Sequence, residues 1–302
     1  MTLTRRTCLT AAVSSLCSRA QPAPPRDRIL CQTYIWILTA QLKGQDLPAV
    51  LPEVAAATAQ AGFQQVELMS AFLRPESIPA TMRVLRDSAL TPTVIYHSAP
   101  VYDRSAHPAA LAEIDRLART GRDYGMQAFD FSLGAKPGKA PVTDDEIAAE
   151  VAFLQQAGEC FQALSVPWML HHHEEEMQRG ALHWRALLRQ TAADRLSLCL
   201  DIDWILVARQ DPAAMIGLAG SRLRSIHFRC RRAGVWLESL SGGDFDLALL
   251  VAPLNRIRYR GYLGVELAYD SSTNITRSLT ANLAESRQLL ERLFLRPSKP
   301  SP

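Results

Sequence analysis

The chain has 302 residues and a formal net charge of +3, a length that fits one large domain or two modest ones. With 48% hydrophobic and 21% charged residues it has a globular composition. So small and scattered a basic surplus makes no electrostatic case for nucleic acid or an anionic membrane, and no apolar run beyond residue 20 is long enough to span a bilayer.

The N-terminus reads as a separate object. Arg5-Arg6 precede a short, weakly apolar run, Thr10 to Cys17, and a small-residue exit at Ala20. A basic start, a short apolar stretch and a small-residue end make a secretory signal over residues 1–20. The paired arginines and mild hydrophobicity resemble a twin-arginine signal, which addresses folded proteins for export from bacteria to the periplasm. The alternative is an arginine-bearing tail on a cytoplasmic protein. A Pro-rich linker occupies 21–28. Cys31, Cys160, Cys199 and Cys230 then follow without a CxxC pair; they fit buried free thiols better than a disulfide framework or a zinc knuckle.

From Ile29 strands and helices alternate. Ile29 to Trp36 reads as a strand, and Leu47 to Ala61 as an amphipathic helix ended by Gly62. The strand Gln65-Val66-Glu67-Leu68 leads to a helix over Ser77–Ser88, then to the strand Thr93–His97. A helix over Pro108–Tyr124 precedes a strand over Ala128–Phe131. Thr143 to Leu164 is a long helix whose acidic start suits the positive N-terminal end of its dipole. The apolar run Val166 to Leu170 is a fifth strand that delivers His171-His172-His173-Glu174-Glu175-Glu176 to its end. Alternation along it places His171 and His173 on one face and His172 on the other. A helix over Gly180–Ala193, the strand Ser197–Asp201 and a short helix Pro212–Leu218 come next. The strand Arg224–Phe228, a helix Asp246–Ile257, the strand Gly264–Leu267 and a last helix Arg277–Leu293 complete the series, before a disordered tail over 294–302.

Eight strand–helix units imply a parallel sheet, since each crossover needs a helix. They close most naturally into a single-domain α/β structure, a (β/α)8 TIM barrel over 29–293. An open doubly wound sheet is the alternative, but no Gly-rich phosphate loop follows the first strand.

Ionisable residues fall repeatedly at strand ends: Glu67, His97, His171, His173, Asp201, His227 and Glu266. In a barrel those ends converge on one mouth, where active sites of this fold lie. Each alone has a structural explanation, as a paired carboxylate or a hydrogen-bonded core histidine. Together they would be costly without a counterion. One divalent cation would satisfy them. Imidazoles with carboxylates suit Mn²⁺, Co²⁺ or Zn²⁺ better than Ca²⁺, and such an ion can stabilise an enediolate formed by proton abstraction. An arginine-rich run, Arg222, Arg224, Arg229, Arg231 and Arg232, reads as a solvated edge with the capacity to meet an anion.

Several short motifs carry a family resemblance. These are Gly62-Phe63-Gln64-Gln65-Val66-Glu67-Leu68, Leu170-His171-His172-His173, Leu200-Asp201-Ile202-Asp203-Trp204 with Gln210-Asp211-Pro212, Ser225-Ile226-His227-Phe228, Gly242-Gly243-Asp244-Phe245-Asp246 and Tyr262-Leu263-Gly264-Val265-Glu266. In order and spacing the chain resembles the xylose isomerase-like TIM barrels, the sugar phosphate isomerase/epimerase superfamily. The branch it is most similar to has a Tyr-His-Asn-His-type fifth strand and includes exported bacterial members. The resemblance implies one divalent metal held by His171, Asp201, His227 and Glu266. It also implies a sugar pocket lined by Glu67, His97, His173 and Trp204, with Arg229 among the substrate-binding residues. Asp201 is preferred to Asp203, which is expected to be a loop carboxylate.

There are departures. Epimerases of the superfamily generally carry a glutamate where this chain has His171. The strand-seven pattern His-x-Lys-Asp appears as His227-Phe228-Arg229-Cys230. The usual Asn of strand five is His172, and the usual Gly before Gln-Asp-Pro is Arg209. The leading expectation is a metal-dependent isomerase or epimerase of a sugar or keto-sugar, with Glu266 as base and His173 or His97 as its acid/base partner. A lyase or dehydratase on the same site and a non-catalytic sugar-binding barrel are the alternatives. Abasic-site nucleases share this barrel, but they need several metal ions and basic grooves, which the near-neutral charge does not supply. The expected partner is a small carbohydrate, with no nucleic acid and no stable membrane insertion; an oligomer is compatible with the pattern.

Overall fold

The computed structural model describes residues 27–295. The expected signal over 1–20, most of the linker and the tail beyond Leu295 lie outside the described residues. The first seven strands are β1 (Ile29–Gln32), β2 (Gln65–Met69), β3 (Thr91–Ala99), β4 (Ala128–Leu133), β5 (Trp168–His171), β6 (Ser197–Asp201) and β7 (Leu223–Phe228). A small antiparallel hairpin, β8 (Arg231–Arg232) with β9 (Val235–Trp236), separates them from β10 (Tyr262–Val265). Strands β1 to β7 and β10 form a closed parallel barrel in the order β1-β10-β7-β6-β5-β4-β3-β2. Closure is made by β1, which pairs Ile29 with Leu263 on one side and Cys31 with Val66 on the other. The open-sheet alternative is thereby excluded, and the (β/α)8 barrel stands.

Alternation along each strand sorts side chains into two environments. Leu30, Val94, Ala128, Met169, Cys199 and Tyr262 pack together on the barrel axis. Their neighbours, including Ile29, Ile95, Phe129, Leu170, Leu198 and Leu263, join the larger core between strands and helices. Strands buried on both faces read as continuous apolar runs, as in other all-parallel sheets. The helix over Asp144–Leu164 begins with a reciprocal cap: Thr143 Oγ1 accepts from the Glu146 backbone N–H at 3.3 Å and the Glu146 carboxylate accepts from the Thr143 N–H at 2.7 Å.

The element boundaries differ from expectation in a few informative places. Strand one stops at Gln32, and Tyr34–Lys43 is a helix. The apolar run Tyr34 to Leu38 is too short for periodicity to separate strand from helix. It buries Ile35, Trp36 and Leu38 on one side, and the Trp36 indole donates to Thr58 Oγ1 at 3.0 Å. A second unexpected helix, Ile202–Val207, follows β6 directly. After β5 the chain turns helical at Glu174, because Glu176 reaches back to cap the His173 N–H at 2.7 Å. That helix runs to Gln190 but is broken at 178–181, where Arg179, Gly180 and Ala181 all have positive φ. The expected start at Gly180 is therefore the start of its second half. The last helix, Leu279–Leu290, continues as a π-helical turn through Leu295. Phe294 in that turn packs on Phe228 at 5.5 Å, and the Phe294 carbonyl accepts from Arg28 at 3.2 Å.

Candidate active site

Four side chains from adjacent strands meet on the axis at the C-terminal mouth. His171 ends β5, Asp201 ends β6, His227 lies on β7, and Glu266 follows β10 immediately. Each offers one ligand atom, and these atoms lie within 4.8 Å of one another. All four residues are buried. Among the described residues, both His171 ring nitrogens, His227 Nδ1 and Glu266 Oε2 are buried without a hydrogen-bond partner. His227 Nδ1 and Glu266 Oε2 approach to 2.9 Å, yet their angle does not make a hydrogen bond. His171 Nε2 and Asp201 Oδ2 stand 3.8 Å apart. Polar atoms buried without partners are costly; here they face a common point, and two imidazoles with two carboxylates fit a divalent cation of the Mn²⁺, Co²⁺ or Zn²⁺ type.

The surrounding groups fix these ligands. His227 Nε2 donates to Glu67 Oε2 at 2.9 Å, which leaves Nδ1 for the mouth. Gly264 sits beside His227 in the register, and a Cβ there would come within 2.8 Å of the imidazole Cδ2; only glycine leaves the ring its place. The Asp201 carboxylate is divided: Oδ1 accepts from the Trp204 N–H at 3.1 Å, capping the Ile202–Val207 helix, while Oδ2 faces the cluster. The Asp201 backbone N–H donates to His172 Nε2 at 3.1 Å, and His172 Nδ1 lies 3.2 Å from the His173 carbonyl. His172 thus points away from the axis, against Trp184, and ties the ends of β5 and β6 together.

Charge is arranged to match. Burial drives His171 well below the usual imidazole range, with help from its histidine neighbours. Burial and then Arg229 bring His173 down to about 4. Both rings are neutral near pH 7, the form in which imidazole ligates or accepts a proton. Burial also lowers His227, but the negative groups around it outweigh burial and carry it well above the usual value. Positive charge is favoured at this point, whether a proton on Nδ1 or a cation in its place. Burial raises Glu266, yet Arg229 and His227 hold it at about 2; burial lifts Asp201 to about 6 against the pull of Arg229.

Arg229 is buried at the mouth. Its Nη2 donates to Asp201 Oδ2 at 2.5 Å, and Nη1 is 3.6 Å from Glu266 Oε1. Its guanidinium lies 4.7 Å from the Trp204 ring and 5.4 Å from that of Trp236. Arg231 stacks on the same indoles and donates to Asp203 at 2.9 Å, while the Trp236 N–H reaches Asp203 at 3.0 Å. These cation–aromatic contacts build one wall. His173 faces it, with its ring 6.1 Å from Trp204 and 4.9 Å from His171.

Several expectations need correction. His97 is not at the cluster: Tyr96 faces the axis, so His97 points to the other face of β3, beside Phe131 and bonded to Ser70 Oγ at 2.9 Å. Glu67 lies beneath His227 and not on the pocket wall. Asp203 is a buried helical carboxylate rather than a loop one. Glu174 and Glu175 head a helix, where they hold Lys139. The arginine-rich run is no continuous edge: Arg229 and Arg231 join the mouth, whereas Arg222 bonds the carbonyls of Leu188 and Leu196. Two further residues on the axis, Asp130 and Tyr96, were not expected from the sequence. Asp130 sits 3.7 Å from His227 Nε2. Tyr96 bonds Ser132 Oγ at 2.7 Å and stands 3.5 Å from His173 Nε2. A lone acid between two phenylalanines, Phe129-Asp130-Phe131, was the available signal. A cleft of about 640 Å³ lined by Met82, Arg86, Pro92 and Tyr124 lies at the opposite end of the barrel and takes no part in this arrangement.

Solved structures share this architecture. D-allulose 3-epimerase from Methylomonas sp. superposes with a TM-score of 0.69 at 21% identity, over 90% of this chain and 99% of that one. An L-ribulose 3-epimerase gives 0.69 at 19% identity, over 88% and 93%. A sugar phosphate isomerase/epimerase from Parabacteroides distasonis gives 0.66 at 14% identity, over 89% and 99%. At such identities the likeness shows the fold. No curated protein matches the chain. The xylose isomerase-like TIM barrel family model matches residues 55–293, and with a barrel closed as described the chain belongs to that family.

Proposed function

We propose that the protein is a divalent-metal-dependent isomerase or epimerase of a sugar or keto-sugar. The observation that carries this reading is the convergence of buried ligand atoms from His171, Asp201, His227 and Glu266 at the mouth of the barrel, those of His171, His227 and Glu266 including atoms without a hydrogen-bond partner among the described residues. An ion held by these four would supply Lewis acidity toward neighbouring oxygens of a polyol. The structurally similar epimerases support the same substrate class, one of them having been crystallised with D-allulose.

Glu266 is the base. It is ionised and faces the cluster, and it is positioned to take a proton from a carbon next to a carbonyl. Arg229, 3.6 Å from Glu266 Oε1, is placed to bind a substrate oxygen. His173, neutral and open toward the mouth, carries the proton on the other side, with Tyr96 behind its Nε2. Trp204 and Trp236, stacked with Arg229 and Arg231, form the wall of the sugar pocket.

A second reading has its own support. The glutamate usual at position 171 is a histidine here, so one carboxylate base is present where an epimerase of this superfamily generally has two. Chemistry with a single base, the loss of a β-hydroxyl after proton removal, fits that difference. Incubating the metal-loaded protein with keto-sugars and following both epimers and dehydrated products tests the two together. Glu266→Gln is expected to abolish turnover with the circular dichroism spectrum unchanged; undiminished turnover would remove Glu266 as the base. Thermal stabilisation by a sugar without any product would leave a binding protein. The twin-arginine-like start supports export and hence a free or oxidised glycan as substrate; sequencing the N-terminus of the mature protein tests it.

A further inference from the structure

One step below Asp201 on β6, Cys199 faces the barrel axis. Its Sγ, with one nitrogen each from His171 and His227, forms a second group of three ligand atoms within 4.8 Å of one another. All three residues are buried. His171 is the independent sign of a ligand: both of its nitrogens are shut away from solvent with no hydrogen-bond partner among the described residues. A ring satisfied by the upper position alone would leave only one nitrogen facing an ion, and its T-shaped contact with Tyr96 at 5.6 Å offers the other no acceptor. The two imidazoles therefore serve two donor sets, one completed above by the hard carboxylates of Asp201 and Glu266, the other below by a soft sulfur.

We propose that the barrel sorts ions by depth, a step that rests on the metal-binding reading above. A hard ion such as Mn²⁺ stays at the mouth with Asp201 and Glu266, while a thiophilic ion such as Co²⁺ or Zn²⁺ also takes Cys199 as a ligand. Binding there breaks the S–H bond, forms the S–metal bond and releases the proton to buffer; no oxidation is involved. An ion that took Cys199 would add a thiolate to its donor set, so the two ion classes would not be equivalent cofactors.

The test uses the full chain stripped of metal and titrated separately with Co²⁺ and Mn²⁺. Wild type with Co²⁺ is expected to show a thiolate-to-cobalt charge-transfer band in the near ultraviolet. Cys199→Ser should lose the band and bind Co²⁺ at least about tenfold more weakly, the loss that removal of even an outer partner brings, with Mn²⁺ affinity unchanged. Cys199→Ala repeats the measurement should the serine variant fold poorly. Absence of the band in wild type, or its persistence in both variants, would overturn the proposal. An equal loss of Mn²⁺ and Co²⁺ affinity in the variants would do so too, showing a packing role only. Failure of wild type to bind either ion would remove the metal-binding reading itself.

Discussion

His227 and Glu67, 160 positions apart in the chain, meet inside the barrel with Nε2 donating to Oε2 at 2.9 Å. This contact fixes which nitrogen of His227 faces the mouth, since a ring that donates from Nε2 presents Nδ1. Glu67→Gln keeps an acceptor but removes the charge, and Glu67→Ala removes both. Metal affinity measured by calorimetry should fall on the order of 10- to 100-fold in the alanine variant and less in the glutamine variant. Wild-type affinity in both would mean that Glu67 does not orient the ligand.

The two histidines first proposed as proton carriers should now separate. His173 borders the cluster and Trp204, whereas His97 is turned toward Phe131 and Ser70. His173→Ala is expected to lower kcat by on the order of 10²-fold or more, the usual worth of a positioned proton carrier. His97→Ala should stay within a few-fold of wild type. The reverse order would place the chemistry on the wrong face of β3.

Stability should carry a pH signature from Glu176. Burial raises its carboxyl from 4.5 to about 7, against the opposing pull of His183 and the His173 N–H. The unfolded chain releases this proton first, so the folded state loses stability as pH rises from about 4.5 to about 7 and bears the full cost above that, up to roughly 3 kcal/mol. Glu176→Gln cannot ionise. Its melting temperature should gain on wild type across that window, and parallel profiles for the two proteins would contradict the assignment.

Arg209 stands directly before Gln210-Asp211-Pro212 in a backbone conformation that favours glycine. Its φ is +56°, in the left-handed region that costs an ordinary residue roughly 1–2 kcal/mol. Arg209 is exposed. Arg209→Gly should therefore stabilise the protein by about 1 kcal/mol after the greater chain entropy of glycine is allowed for. A lower melting temperature would show that the arginine side chain holds the turn.

What was legible in the sequence was periodic or punctuated. Asp201 and Glu266 stand out because each closes an apolar strand, and His171 because it opens a histidine run at such an end. The face presented by His97 was not legible. Strand β3 is buried on both sides, so its own pattern has no polar face, and its parity is set by pairing with β4, where His97 lies beside Phe131. The Ile202–Val207 helix was hidden for a related reason. Its cap is Asp201 itself, already accounted for as a strand end, and six apolar-rich residues are too few to show a helical period. Cys199 and Asp130 were concealed inside apolar runs, where only the closed barrel reveals that they share an axis with His227.

The proposed function stands on His171, Asp201, His227 and Glu266 holding a divalent ion. Elemental analysis of the purified protein, beside a His171→Ala, His227→Ala double variant of unchanged secondary structure, addresses it directly. About one ion per chain is expected in wild type and none in the variant. A wild-type protein that stays metal-free after incubation with Mn²⁺, Co²⁺ and Zn²⁺, or a variant that retains its ion, would contradict it.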